Sequence, residues 1–145
     1  MAAWTFSVHG RAVPQGQLKI VARGGGHPFL AEGNKEVRPW RALVADAARQ
    51  AGVLLQSPVR LEVSVYMARP KSHYGSGRNV DALKPSAPRS PTVKPDVDKL
   101  ARAIMDALTG VAYVDDSHVT RLLVLKRYCR APERVDVVVE GGASA

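Results

Sequence analysis

The sequence has a single cysteine, Cys129, and this scarcity excludes two common ways of stabilising a chain. One thiol cannot form an intrachain disulfide, and it cannot build the thiolate cluster of a structural zinc site. The four histidines are scattered without the spacing of metal ligands, so they do not supply such a site either. We expect Cys129 to be a buried structural thiol.

Long apolar runs are also absent. No segment approaches the roughly 18 apolar residues that are needed to span a bilayer. The N-terminal residues Met1 to Trp4 lack the charged-then-apolar order of a secretion signal. These absences predict a cytoplasmic protein without a membrane partner.

Acidic residues are few, and their scarcity leaves the chain strongly basic. Thirteen Asp and Glu stand against 21 Lys and Arg, which gives a formal net charge of +8 over 145 residues. A field of this sign raises encounter rates with polyanions and therefore favours a nucleic acid as partner. The length is that of one domain with a sizeable core, so we expect residues 1–145 to form a single domain.

Hydrophobic periodicity predicts an α/β (α+β) fold, with one mixed sheet packed against two main helices. Helical spacing of apolar residues predicts helices over Glu36–Ala51 and from Asp96 to Leu108, and the glycines that follow each one supply a stop. The residues between 10 and 35 are rich in Gly and Pro, which leaves room for a loop and one short strand. The tail 141–145 is expected to fray. The predicted strands are Trp4–His9, Leu18–Ala22, Val59–Met67, Val111–Val114, Val119–Arg127 and Val135–Glu140.

A long basic segment, residues 69–95, separates the third of these strands from the second helix. It carries five prolines and a single acid, Asp81. A loop of this length is unusual in a compact domain unless it has a function or is disordered, and its composition fits an arm that lies along a phosphate backbone. The cations predicted to contact DNA are Arg69, Lys71, Arg78, Lys84, Arg89 and Lys94 of this arm, together with Lys99.

The acids, in contrast, are concentrated around the second helix, where five aspartates crowd into residues 96–116. Asp96 and Asp98 open the helix, and the Asp115-Asp116 pair follows it. If the sheet brings the pair beside the helix start, the carboxylates converge and their repulsion would be relieved by Mg²⁺ or Mn²⁺. Such an ion activates water and polarises a phosphodiester. Arg102, one turn beyond Asp98, could offset charge on the phosphoryl oxygens.

Each acid also has a simpler structural explanation. Asp96 could cap the helix N-terminus, where free backbone N–H groups favour a carboxylate. Asp98 could form an i,i+4 ion pair with Arg102, and Asp115-Asp116 could be a polar turn between strands. A DxD motif alone is common, so spacing by itself leaves a metal-dependent nuclease and these structural roles both open.

The run KPDVDKLARAIMDALTGVAYVDDSHV, residues 94–119, resembles the signature of the RusA-type Holliday-junction resolvases. Weaker likeness covers PQGQ at residues 14–17 and FLAEGNKEVRPWRALVADAA at residues 29–48. The resemblance implies a homodimer with a mixed α/β fold that cuts four-way DNA junctions symmetrically with Mg²⁺ or Mn²⁺. The catalytic and metal-binding residues that it implies are Asp96, Asp98 and Asp116. In a junction-resolving nuclease built on these three, we expect Asp115 to be a minor or indirect ligand.

Two positions depart from the family pattern. Lys99 stands where many members have Asn, and Arg102 stands where the family has a functional Lys. Arginine keeps the positive charge but does not donate a proton at ordinary pH, so the second change is not conservative if that Lys does more than neutralise charge. The alternatives to a junction resolvase are a basic DNA-binding accessory protein that does not cleave and a nuclease of flaps or other branched DNA.

Overall fold

The computed structural model describes residues 2–22, 26–130 and 132–142. Two α-helices and six β-strands make up its regular structure, with three short 3₁₀ turns between them. Within these residues no helix is both long enough and apolar enough to cross a membrane. The elements are β1 (Ala2–His9), β2 (Leu18–Val21), β3 (Phe29–Glu32), α1 (Val37–Gln50), β4 (Val59–Ala68), α2 (Val97–Leu108), β5 (Val119–Cys129) and β6 (Arg134–Gly141).

Four of the strands form one mixed sheet in the order β1-β6-β4-β5. β4 pairs with β5 in parallel, whereas β6 runs antiparallel to both of its neighbours. The two helices pack against each other and, with one face of the sheet, enclose the core. The predicted mixed sheet with two main helices is therefore confirmed, and β5 forms one open edge of it.

Strict alternation explains why β4 holds its place in the middle of the sheet. Val59, Leu61, Val63 and Val65 point into the core and are at most 1% exposed, while Glu62 faces solvent. Because side chains alternate across a strand, a shift of one residue would exchange these two faces. On α2 the buried stripe recurs at helical spacing and includes Leu100, Ala103, Ile104, Ala107 and Leu108.

The predicted strand at Val111–Val114 is wrong. These residues form a tight turn in which Gly110 donates its backbone N–H to the carbonyl of Tyr113 at 2.7 Å. The apolar run is explained by burial beneath the end of α2, since Tyr113 is fully buried. A short run of buried side chains does not distinguish a strand from a compact turn.

Smaller differences concern other parts of the chain. The sequence predicts one short strand in the segment between residues 10 and 35, and β2 matches it. This strand also pairs with β3, so the segment contains a two-stranded antiparallel sheet. Gly141 ends β6 instead of fraying, and residues 143–145 of the predicted tail lie outside the described residues. Cys129 is half-buried rather than buried, with its sulfur 3.9 Å from the carbonyl oxygen of Pro132.

The segment 69–95 is a loop with two 3₁₀ turns, and cations at its own start and on β5 hold it in place. Arg69 donates to the carbonyl of Pro88 at 2.7 Å, and its guanidinium lies 4.5 Å from the centre of the Tyr128 ring. Lys126 donates to the carbonyls of Val93 and Pro95 at 2.6 and 2.9 Å. The segment is thus anchored along β5 up to the residue that precedes Asp96.

Candidate active site

Asp96 occupies the N-cap position of α2, but its side chain does not cap the helix. Its backbone is extended (φ −71°, ψ 142°), and the carboxylate makes no hydrogen bond to the first turn. It lies instead 3.6 Å from the ammonium group of Lys99, and both side chains are about half exposed. An exposed pair of this kind contributes little to stability. The carboxylate of Asp96 therefore remains accessible to a ligand.

Asp98 and Arg102 project from the solvent-facing side of α2, opposite the buried Leu100. The i,i+4 ion pair that would explain them structurally does not form in the described chain. Both side chains line a cavity of about 310 Å³ that is closed on its other side by residues 15–17. An acid and a base thus share one cavity without neutralising each other, which is an arrangement that a charged ligand can use.

The turn before β5 holds Asp115 and Asp116 in different ways. Asp115 accepts a hydrogen bond from the backbone N–H of Ser117 at 2.9 Å, and this bond holds the pKa of its carboxyl below the usual range. The Asp115 side chain therefore stabilises the polar turn before β5. Asp116 is exposed, and its carboxylate accepts a hydrogen bond from the hydroxyl of Thr109 at 3.1 Å.

Thr109 and Tyr113 fix the position of Asp116. The Tyr113 hydroxyl donates to the carbonyl oxygen of Met105 at 2.7 Å, and the Thr109 hydroxyl lies 3.0 Å from the same oxygen. Thr109 has one hydroxyl proton, so it can serve either that carbonyl or the carboxylate. The carbonyl is already bonded by Tyr113 and by the backbone N–H of Thr109, and a bond to a carboxylate is the stronger one.

Burial raises the pKa of Tyr113, and the nearby charge of Asp116 raises it further. The phenol is thus a neutral donor at every physiological pH. Sequence reasoning missed both of these supporting residues. The available signal was a hydroxyl-bearing residue at the very end of the helix, six to seven residues before an acidic turn.

The structure places the two acidic groups at opposite ends of α2. Asp98 lies in the first turn, whereas Asp116 is tied to Thr109, the residue that follows the last turn. Eleven residues at 1.5 Å per residue separate Asp98 from Thr109 by about 16 Å along the helix axis. In the described part of the chain no three acidic, His or Cys side chains come together as a metal site. Within one chain, the carboxylates at the start of α2 and that of Asp116 therefore do not converge as predicted.

The remaining charged residues of this region fall into two groups. Asp106 pairs with Arg41 of α1 at 4.0 Å, and Arg69 is committed to the loop contacts described above. The other cations of the arm are exposed and have no ion pair or side-chain hydrogen bond with any described residue. These free cations are Lys71, Arg78, Lys84, Arg89 and Lys94.

The chain is similar to known proteins over most of its length. The chain is 36% identical over 135 residues to YqaN of Bacillus subtilis (strain 168), a protein described as uncharacterized, and the match covers 92% of this chain and 93% of YqaN. Residues 9–140 match the family model described as endodeoxyribonuclease RusA, and this range includes β4, both helices, the arm and every acid discussed above. The chain therefore belongs to the RusA family of endodeoxyribonucleases.

Proposed function

We propose that this protein is a Mg²⁺-dependent endonuclease that resolves four-way DNA junctions by paired, symmetric hydrolysis of phosphodiesters, in recombination and repair within the cytoplasm. The observation that carries the proposal is that Asp98 has no ion pair in the described chain, although the chain has a net charge of +8. Its carboxylate is exposed beside Arg102, and in the described chain it does not form the i,i+4 ion pair that would give it a structural role. An acid left without a structural role in a family of DNA-cleaving enzymes is best explained as a metal ligand.

The donor set fits a hard divalent cation. Asp96, Asp98 and Asp116 offer carboxylate oxygens, which Mg²⁺ and Mn²⁺ prefer over the nitrogen and sulfur ligands that zinc selects. The nearby Lys99 can release Asp96 easily, because their contact is long and half exposed. When bound, the ion would supply an activated water and would polarise the scissile phosphate.

A three-carboxylate centre of this composition requires two chains. Mg²⁺ binds oxygen at about 2.1 Å, so an ion on Asp98 cannot reach an Asp116 that is tied to the other end of the same helix. Within one chain α2 runs antiparallel to β5. The start of β5 lies at the end of α2, because Asp116 is bonded to Thr109, and the end of β5 lies at the start of α2, because Lys126 bonds the segment just before that helix. A neighbouring copy in antiparallel orientation would bring its Asp116 to the start of α2.

β5 offers the surface for such a copy. It is eleven residues long and pairs only with β4 in the described chain, so its other edge is open. An open edge is a ready template for another strand. Leu122, in register with the buried Leu61 and therefore on the helix side of the sheet, is 41% exposed. Two copies related by a two-fold axis at this edge would align their α2 helices side by side in opposite directions.

The remaining side chains can then be assigned roles. Arg102 lies one turn from Asp98 and can donate to phosphoryl oxygens as negative charge develops on them. It cannot protonate the leaving oxygen at ordinary pH, so that proton comes from water. Thr109 and Tyr113 hold Asp116 in place. The free cations of the arm bind the phosphate backbone on the way to the site.

The proposal is tested with a labelled mobile four-way junction and a linear duplex of the same sequence, each incubated with native protein with and without Mg²⁺. Paired symmetric nicks in the junction alone, dependent on metal, are the expected result. Binding of the junction without cleavage in Mg²⁺ or Mn²⁺ would instead identify a DNA-binding accessory protein, with Lys99 and Arg102 as the changes to revert. Preferential cleavage of flaps would move the substrate to other branched DNA.

Replacing Thr109 with Val is expected to lower the cleavage rate by about 10- to 100-fold, as loss of a group that orients a metal ligand commonly does. The midpoint of activation by Mg²⁺ should rise, while junction affinity without metal stays the same. A Mg²⁺ titration of the cleavage rate measures both effects. Thr109→Ser keeps the hydroxyl and should restore the rate, and Thr5→Val, at an exposed position on β1, is the matched control. A native Mg²⁺ midpoint in Thr109→Val would show that Thr109 does not position Asp116.

Replacing Lys84, Arg89 and Lys94 together with Ala should weaken junction binding and make it less sensitive to salt. Removing one cation from a phosphate reduces the slope of log K against log salt concentration by about 0.9, so the triple variant should differ measurably from native protein in fluorescence anisotropy over a salt series. Arg49→Ala, at an exposed position on α1, is the control. An unchanged slope would remove the arm from the DNA surface.

A further inference from the structure

A second cavity, of about 450 Å³, adjoins the start of α2 on the side of Asp96. Its walls are the segment 11–17, the residues around Asn34, and Lys94 to Asp96, where the arm leads into α2. It shares Gln15, Gly16, Gln17 and Lys99 with the cavity that holds Asp98 and Arg102. Asp96 and Lys94 on one wall belong to the proposed metal and phosphate contacts, but the opposite wall, formed by the segment 11–17, has no role in the proposed cleavage chemistry.

The segment that forms its wall is held firmly in place. The backbone N–H of Gln15 donates to the carbonyl of Lys99 at 3.0 Å, which fastens the segment to α2. The side-chain amide of Asn34 donates to the carbonyl of Pro14 at 3.0 Å, which fastens it to the start of α1. Gly33 approaches so closely that a β-carbon there would lie 2.2 Å from the carbonyl oxygen of Gln17. The cavity is therefore preformed.

Its polar groups are those that recognise a nucleotide. Arg11 and Lys94 are exposed cations without ion pairs in the described chain, and Gln17 is exposed with its amide uncommitted. A free amide offers a donor and an acceptor to a base edge, while the cations suit its phosphate. Glu36 also lines the cavity and can accept from an exocyclic amino group. The volume lies within the range of about 300–1,000 Å³ that is usual for ligand pockets.

We propose that this cavity receives one nucleotide, unstacked from the strand that is cut, and that Gln17 and Arg11 are the residues that bind it and select the cleavage position. The two cavities are lined by Asp96 and by Asp98 respectively, so a strand whose scissile phosphate lies at these carboxylates has room for an adjoining nucleotide in each. Branched DNA contains bases at the crossover that are cheaper to unstack than those of a continuous duplex. The inference rests on the proposed function, because it assumes that the scissile phosphate lies at those carboxylates.

Fluorescence of 2-aminopurine tests the proposal without requiring cleavage. Junctions carrying this base at single positions around the crossover are saturated with the Asp98→Asn protein, and saturation is verified by anisotropy. No aromatic ring lines the cavity, so a base held there loses stacking and its fluorescence should rise at one position. Adding Gln17→Ala or Arg11→Ala should abolish the rise, whereas the matched control Gln50→Ala on α1 should leave it unchanged.

In the presence of Mg²⁺, Gln17→Ala in otherwise native protein should redistribute cleavage among the positions of a mobile junction. Because Gln17 is neutral, its replacement should change junction affinity little. Gln17→Ala therefore still tests the nucleotide site if Arg11→Ala binds the junction poorly. The absence of a rise at every position, or a rise that persists in both variants, would overturn the inference. Unstacking without any cleavage by native protein would contradict the proposed function while supporting the nucleotide site, so the two failures can be told apart.

Discussion

Asp98→Asn is expected to reduce junction cleavage by more than about 100-fold, since loss of a residue that merely orients a metal ligand already costs 10- to 100-fold. The amide keeps the size and hydrogen-bonding shape of the carboxylate but removes the charge that holds the cation. Junction binding should be unchanged or slightly tighter, because a negative charge is removed from a surface that meets phosphates. Cleavage is measured with a labelled junction at saturating protein, and binding by anisotropy without metal.

The structure offers a matched control for this substitution. Asp46 is an exposed helical aspartate on α1, paired at the surface with Arg49. Asp46→Asn should cleave at the native rate, because surface pairs of this kind contribute little. Thermal unfolding should be similar for both variants, since the Asp98 carboxylate has no partner in the described chain whose loss could destabilise the fold. Native cleavage by Asp98→Asn would exclude this residue as a metal ligand and with it the proposed site.

The regular elements could be predicted because their periodicity reflects burial on one face. The alternation of β4 and the helical stripe of α2 each identify the buried side chains directly, and the observed ends of both elements differ from the predicted ones by only one residue. The turn at 111–114 could not be predicted in the same way. Its three buried residues fill the space below α2, and such packing depends on neighbours that are distant in sequence.

The candidate site was predicted residue by residue but not in its arrangement. Sequence spacing placed Asp96 and Asp98 at a helix start and Asp116 in a turn, and the structure has them there. Their separation follows from two facts that spacing does not reveal, namely the length of α2 and the hydrogen bond that ties Asp116 to Thr109. The cations of the arm are a similar case, because only the structure shows that Arg69 is used to anchor the loop.

Mixing two inactive variants tests whether the site is shared between chains. Asp98→Asn and Asp116→Asn should each be inactive as homodimers. If Asp98 of one chain works with Asp116 of its partner, a mixed dimer contains one intact site and one site with both substitutions. Random exchange makes half of the dimers mixed, each with one working site of two, so about a quarter of the native number of sites should be recovered in an isologous two-fold dimer.

The product distinguishes this outcome from incomplete inactivation. A mixed dimer with one working site can nick one strand of the junction but cannot make the paired cuts, so nicked junctions should accumulate where native protein gives resolved duplexes. Native gels separate the two products. The control is a mixture of Asp98→Asn with Asp96→Asn, which should stay inactive because every dimer keeps one substitution in each site. No recovery in the first mixture, once the exchange of subunits has been verified, would place all three carboxylates in one chain and would require α2 and the 109–116 turn to rearrange on binding DNA. Recovery in the control would instead show that Asp96 and Asp98 of one site come from different chains.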